Sequence, residues 1–327
     1  MTQAVNTGTI TSSNNEGDRA KRSLSLRRYR IIVWVAFASL YVIIVTGSLV
    51  RLTGSGLGCI DWPACNEEQF VDVSTPHAAI EQLNRLFTGV VVASVVAAVL
   101  AALFVRPRQR RLVRLALWLV GGVLAQVVLG GIVVLTGLHP LSNMGHFLLS
   151  IALMYGAYLL ADAVSADGQR EKPARWSTRE IRVSRLFNFG SPVVLARVVV
   201  VLTLAAVVTG TIVTGTGPHA GDESAPRFDY LITSVVRVHS AAVWLVVIAC
   251  VWLGWLLRNA PDQRLQRAFE WFLFLAVLQG GLGYLQYFTG VPVPLVALHV
   301  ALSVLVWLGA LRLATTARRS AVYGTMA

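Results

Sequence analysis

Eight stretches of about 20 apolar residues, at 31–50, 84–105, 112–135, 144–163, 193–213, 233–256, 269–288 and 295–314, leave this chain few ways to fold. A helix of that length crosses the hydrocarbon core of a bilayer while pairing every backbone N–H and C=O internally. Over 327 residues, 55% are apolar and only 13% charged, too apolar for a soluble globule and too long for a single anchor. The expectation is an all-α polytopic membrane protein with eight transmembrane helices. The first run is longer than a signal-peptide core and no A-x-A site follows it, so it reads as a retained helix. Residues 1–24, rich in Ser, Thr and Asn, read as a disordered cytoplasmic N-terminus.

The net charge of +12 suggests nucleic acid until the charges are located. Basic residues cluster at Lys21–Arg30, Arg106–Arg114, Arg170–Arg185, Arg258–Arg267 and Arg312–Arg319: the N-terminus, every second loop and the C-terminus. The alternate loops carry few, Arg51 at the edge of the first and Arg227 in the third. This is the positive-inside pattern of a bacterial-type cell membrane, with both termini cytoplasmic. It accounts for the charge through the lipid bilayer, with no nucleic acid.

The chain also repeats itself. QVVLGGIVVLTGLHPLSNMGHFLLS, from Gln126 to Ser150, matches QGGLGYLQYFTGVPVPLVALHVALS, from Gln279 to Ser303. One constant shift carries Thr136-Gly137 onto Thr289-Gly290 and His146 onto His299. Thr46-Gly47-Ser48-Leu49-Val50 resembles Thr209-Gly210-Thr211-Ile212-Val213, and Thr53-Gly54-Ser55-Gly56 resembles Thr214-Gly215-Thr216-Gly217. The helices therefore form two parallel four-helix repeats, related by an axis along the membrane normal. The halves are expected at 25–163 and 191–317, joined by a cytoplasmic linker at 164–190 and followed by a cytoplasmic tail at 318–327. Gly-Pro combinations near 137–140, 217–218 and 290–294 mark the outer turns. Gly130-Gly131, Gly280-Gly281 and Gly283 allow close approach of either a neighbouring helix or a flat cofactor.

Of six histidines, His77, His139 and His219 fall in or beside outer loops and need no special explanation. His146, His239 and His299 lie inside the outer ends of even-numbered helices, at similar depth. Ionisable groups at that depth are costly and face a cavity or the bundle interior. A histidine recurring at one depth of a repeated apolar unit points to haem, whose iron takes neutral imidazole as its usual axial ligand. His239 and His299, on the sixth and eighth helices, either clamp one haem or pair as core histidines. Aligning IEQLNRLFTGVV with VVRVHSAAVWLV places Asn84 opposite His239. Glu81 lies one turn from Asn84 on the same face. It is either locked to Arg85 or another cation, or acts on a bound substrate. Cys250, in an apolar run, reads as a small core residue. Cys59 and Cys65 lie in an outer loop, where five intervening residues permit a bridge but do not require one.

The run RLTGSGLGCIDWPAC, the EQLNR stretch at Glu81–Arg85 and the paired helix histidines resemble the haem A synthase family over nearly all of residues 30–315. The resemblance implies oxidation of a methyl group of haem O to a formyl group, giving haem A for cytochrome oxidase. It also implies eight helices in two halves, one holding haem b and the other receiving haem O. By that likeness His239 and His299 are the axial ligands of haem b iron and His146 ligates the substrate haem. Glu81 is the catalytic carboxylate near the reacting methyl. Arg85 holds position through a carboxylate or haem propionate. Cys59 and Cys65 match the family's loop pair, as a structural staple or a thiol–disulfide relay. Asn84 departs from the E-x-x-H-R pattern, where histidine is typical. An amide is a poor iron ligand, so the substrate haem is expected to be five-coordinate through His146 or only weakly six-coordinate. The implied partners are haem O, haem A, a haem O synthase and cytochrome oxidase assembly proteins. Two other classes share some features: a di-haem cytochrome b reducing quinone, which leaves Glu81 and the cysteine loop without a task, and a transporter, for which buried helix charges are too few.

Overall fold

The computed structural model describes residues 24–165, 190–258 and 262–323. Most of the expected N-terminal segment and of the 164–190 linker, including the Arg170–Arg185 cluster, lies outside them. Among the described residues there are eight long helices and one isolated β-bridge, between Leu24 and Val105. The helices are α1 (Leu26–Leu52), α2 (Pro76–Phe104), α3 (Arg110–Leu135), α4 (Pro140–Ala163), α5 (Pro192–Thr216), α6 (Ile232–Leu257), α7 (Gln263–Phe288) and α8 (Val293–Tyr323). Each is long and apolar enough to cross a membrane, so the chain is an all-helical multi-pass membrane protein.

Local chemistry fixes several ends. Thr75 caps α2 by accepting from Ala78 N at 3.1 Å, ahead of Pro76 at the first helical position. Helix α2 thus starts eight residues before the apolar run does, and Glu81, Asn84 and Arg85 fall within it. His139 caps α4 ahead of Pro140, its Nδ1 accepting from Leu141 N at 3.3 Å. The α3–α4 and α7–α8 turns share one backbone solution. Gly137 and Leu138 take φ of 60° and 61°, and Gly290 and Val291 take 79° and 52°. In each turn the second residue's N–H reaches back into the helix, Leu138 to Val133 O at 2.8 Å and Val291 to Gln286 O at 2.7 Å. Left-handed geometry is costly for a β-branched residue such as Val291, so the surrounding contacts must hold it there.

The tightest packing is within hairpins: α1 on α2, α3 on α4, α5 on α6 and α7 on α8. The first two hairpins also face each other through α1–α4 and α2–α3, closing a ring of four. The last two face each other mainly through α5–α8, while α6 and α7 barely touch. The two groups meet through α1, α4, α5 and α8.

The interior is filled unevenly. The larger apolar core, with Tyr29, Val33, Ala98, Leu112, Leu119 and Leu160 among its members, lies toward the end where α1, α3 and α5 begin. The second core, around Leu195, Leu253, Leu265 and Phe272, lies toward that same end. In α7 the buried residues are Leu265, Ala268 and Phe272, all in its first three turns, and α6 has none before Ala242. At the first end, Arg319 in α8 makes a two-pronged ion pair with Asp162 in α4, at 3.0 and 2.7 Å. That pair gives α8 a reason to continue to Tyr323, past the apolar run ending at 314. At the opposite end, where the long loops lie, the interior is lined by histidines, glutamines, Asn84 and glycines.

Candidate functional site

Two equivalent slots lie at the long-loop end, one between the α1–α2 and α3–α4 hairpins and one between α5–α6 and α7–α8. In the second slot Thr209 of α5 faces His239 of α6, Oγ1 to Nδ1 at 3.2 Å. The single hydroxyl proton of Thr209 goes to its own helix, to Ala205 O at 2.9 Å and Ala206 O at 3.0 Å. Thr209 must therefore accept from His239 Nδ1–H, which leaves the Nε2 lone pair free. Across the slot, Gln279 Nε2 of α7 donates to His299 O at 3.1 Å and lies 3.1 Å from His299 Nε2. His299 Nδ1 is buried and has no hydrogen-bond partner.

The first slot repeats this plan. Gln126 Nε2 of α3 donates to His146 O at 3.1 Å and to Ser150 Oγ, and His146 Nδ1 is likewise buried without a partner. Thr46 Oγ1 of α1 donates to Asn84 Oδ1 at 2.8 Å. A glycine lies under each of the four side chains. A Cβ built on Gly210 would come within 3.2 Å of His239 Cε1, and one on Gly283 within 3.2 Å of His299 Cε1. On Gly130 it would lie 3.4 Å from His146 Cε1, and on Gly47 3.9 Å from Asn84 Nδ2. The four glycines leave room for each side chain to lie against the neighbouring helix. Orphaned imidazole nitrogens and helix backbone drawn close by glycine fit ligation of a flat tetrapyrrole.

Glu81 and Arg85 form a different arrangement at the mouth of the first slot. Glu81 is 5% exposed. Its Oε1 takes Arg85 Nη2 at 2.6 Å and Nε at 3.0 Å, and its Oε2 takes Cys59 N at 2.8 Å. Arg85 goes on to donate to Asp61 O and Ala64 O, each at 3.1 Å from Nη1. The pair thus ties the loop between α1 and α2 down onto α2. The same loop is closed by a disulfide between Cys59 and Cys65, with an S–S distance of 1.99 Å. Held this way, it carries Trp62 across to α3, where the indole sits over Gly131: a Cβ there would meet Trp62 at 2.8 Å. Gly131 adjoins Gly130, the glycine under His146. The corresponding residue in α7 is Tyr284, so this cover belongs to the first slot.

Gly58 is what lets the loop seat. A Cβ at this position would lie 2.4 Å from His77 O, a backbone atom that cannot move aside. Gly58→Ala is expected to lift the loop and break the Cys59–Glu81 bond. The loss should be about 1–3 kcal/mol, as for a buried hydrogen bond to a charged group, read as a shift in unfolding in mixed micelles.

The loops of the two groups interlock above the slots. Arg51 Nε donates to His219 O at 2.9 Å and Nη2 to Thr214 O at 3.1 Å. Gly56 N donates to Gly221 O at 2.9 Å. His219 Nε2 meets Val291 O at 2.8 Å, and since a carbonyl only accepts, that nitrogen carries the proton. His77 pairs with Ser55 through Nδ1 at 2.9 Å, and His139 serves as a helix cap. Cys250 is a buried free thiol within the second apolar core.

The structure thus brings His239 and His299 to one slot and His146 and Asn84 to the other. Gln126, Gln279, Thr46, Thr209 and Trp62 join these sites without being singled out by the sequence pattern. The glutamines and threonines carry a detectable signal, since they recur between the halves beside the histidines. Trp62 has none, because its target is far away in sequence.

A family model described as cytochrome oxidase assembly protein, COX15-CtaA, matches residues 30–77 and 69–311. Haem A synthase of Geobacillus kaustophilus is 32% identical over 143 residues, 43% of this chain and 44% of that protein. Haem A synthase of Bacillus pumilus is 32% identical over 150 residues, 44% of this chain and 48% of that protein. These two matches span less than half the length of the relatives concerned. Haem A synthase of Listeria welshimeri is 25% identical over 272 residues, 79% of this chain and 85% of that protein. The family match takes in both slots and the disulfide loop, and the chain belongs to the COX15-CtaA family of cytochrome oxidase assembly proteins.

Proposed function

We propose that this protein oxidises a methyl group of haem O to a formyl group, producing haem A. The observation that carries the reading is the duplicated slot: two polar, glycine-floored sites at one depth of a membrane bundle, the first of them covered by a latched loop. The half at 191–317 holds haem b through His239 and His299, and the half at 25–163 receives haem O through His146. When bound, haem b would supply one-electron redox chemistry.

The overall change balances as methyl plus water giving formyl, four protons and four electrons, the electrons leaving the site for an external electron acceptor. Two successive hydroxylations and loss of water from the geminal diol achieve it. The residues of this chain bind, orient and shield. His146 fixes the substrate from one side, with Gln126 holding the backbone of its helix turn. Glu81, one turn from Asn84, places a carboxylate at the mouth of the slot to stabilise positive charge on the reacting carbon or accept its proton. Arg85 pairs with that carboxylate and fixes its position, and Trp62 screens the slot from water. The long-loop end faces the outside, where disulfides persist, and the basic end with both termini faces the cytoplasm. Haem O synthase and cytochrome oxidase assembly proteins are the partners for delivery and release.

The direct test is haem extraction from membranes of a host that makes haem O but not haem A, with and without this chain. Haem A appearing only with the chain is the expected result. Purified protein that carries haem b and leaves haem O untouched overturns the reading in favour of an electron-transfer cytochrome.

A further inference from the structure

We propose that the Thr46–Asn84 pair makes the position facing His146 an open binding site for a small neutral diatomic molecule, with the Asn84 amide as its hydrogen-bond donor. The proposal rests on the reading that the first slot receives haem O through His146, and asks what lies on the other face of that haem.

The two slots answer differently because one threonine is used in opposite senses. In the second slot Thr209 gives its proton to its own helix and accepts from His239, which prepares an imidazole nitrogen for iron. In the first slot the contact from Thr46 Oγ1 to Asn84 Oδ1, at 2.8 Å, is shorter than that to Ile43 O, at 3.3 Å. The proton therefore goes to Asn84, and the amide oxygen is tied to α1. That leaves Nδ2 as the free end of the side chain. Among the described residues it has no hydrogen-bond partner, and it is the only side-chain atom near a Cβ built on Gly47, at 3.9 Å.

An amide nitrogen has no available lone pair and offers only N–H. It is also shorter than an imidazole. Asn84 therefore brings a donor to the place where His239 brings a ligand in the other slot. A diatomic molecule bound to ferrous haem carries partial negative charge on its far atom, and a donor there strengthens binding. Glycine at position 47 and the short side chain at 84 leave room for it. The second slot has an imidazole on each side and offers no such place. The chain would then carry one closed site and one site open to exogenous ligand.

The probe is carbon monoxide added to the reduced protein loaded with haem O, followed by visible and infrared spectroscopy. The haem b spectrum of the second slot reports whether each variant is folded. Wild-type protein is expected to bind carbon monoxide at a haem that disappears from the His146→Ala variant. Asn84→Leu should still bind it, with the C–O stretch moved to higher frequency and faster dissociation. Asn84→His should abolish binding and give a low-spin spectrum. Thr46→Val should split or broaden the stretch by freeing the amide to turn, and Thr46→Ser should restore it. Failure of the His146-dependent haem to bind carbon monoxide overturns the proposal, as does a stretch unchanged in Asn84→Leu. If no haem O spectrum depends on His146, the reading of the first slot itself fails and the proposal with it.

Discussion

Replacing His239 or His299 with alanine is expected to remove a low-spin b-type haem from the purified protein, whereas replacing His146 is expected to leave that haem in place and abolish haem A formation. The expectation follows from the separation of the slots. His239 and His299 belong to α6 and α8, and His146 belongs to α4 in the other four-helix group. Among the described residues no hydrogen bond joins the two ligand sets, so each loss should stay local. Losing one imidazole removes half of the axial ligation and leaves space that the glycines at 210 and 283 do not fill. The neighbours should matter less but measurably. Thr209→Val removes the acceptor that fixes the His239 tautomer, and loss of such an outer partner costs about 10–100-fold in metal affinity. The measurement is pyridine haemochrome content per protein alongside haem A extraction. Equal loss of haem b in His146→Ala and His239→Ala would show that the slots are not independent and would sink the assignment of one haem to each.

The second large effect concerns the loop latch. Arg85→Ala is expected to destabilise the protein by about 3–5 kcal/mol, because it strands a buried carboxylate without its cation. The ion pair to Glu81 within the helix goes with it, as do the bonds to the loop carbonyls of Asp61 and Ala64. Glu81→Gln is the sharper probe of chemistry. Its amide oxygen still accepts from Cys59 N or Arg85, so the loop stays down, but the negative charge is gone. Unfolding in mixed micelles should show a large loss for Arg85→Ala and a smaller one for Glu81→Gln, while haem A formation should be lost in both. If Glu81→Gln keeps full activity, Glu81 is a latch for the loop and has no part in stabilising the reacting carbon.

The latch also shows why position in sequence understates this site. Glu81 and Arg85 share a helix turn and their pairing is readable from spacing alone. What they hold is not: the backbone of Cys59, Asp61 and Ala64 is more than twenty residues away. The consequence, Trp62 lying on Gly131, joins the first loop to the third helix.

Number, order and approximate placement of the eight helices were determined by sequence, because bilayer thickness sets the length of an apolar run; the start of α2 at Thr75-Pro76, eight residues before its run, came from the structure. The depth of His146, His239 and His299 and the pairing of Asn84 with His239 were determined in the same way, through the repeat. Tertiary structure alone decided which faces meet. It placed Gln126 and Gln279 on the histidine carbonyls, Arg51 on the carbonyls of Thr214 and His219, and Arg319 on Asp162. The reason is the solvent. In water a helix shows its buried face through the alternation of apolar and polar residues. In lipid both faces are apolar, helix rotation leaves little trace in the pattern, and contacts are chosen by small residues and scattered polar groups whose partners lie on other helices.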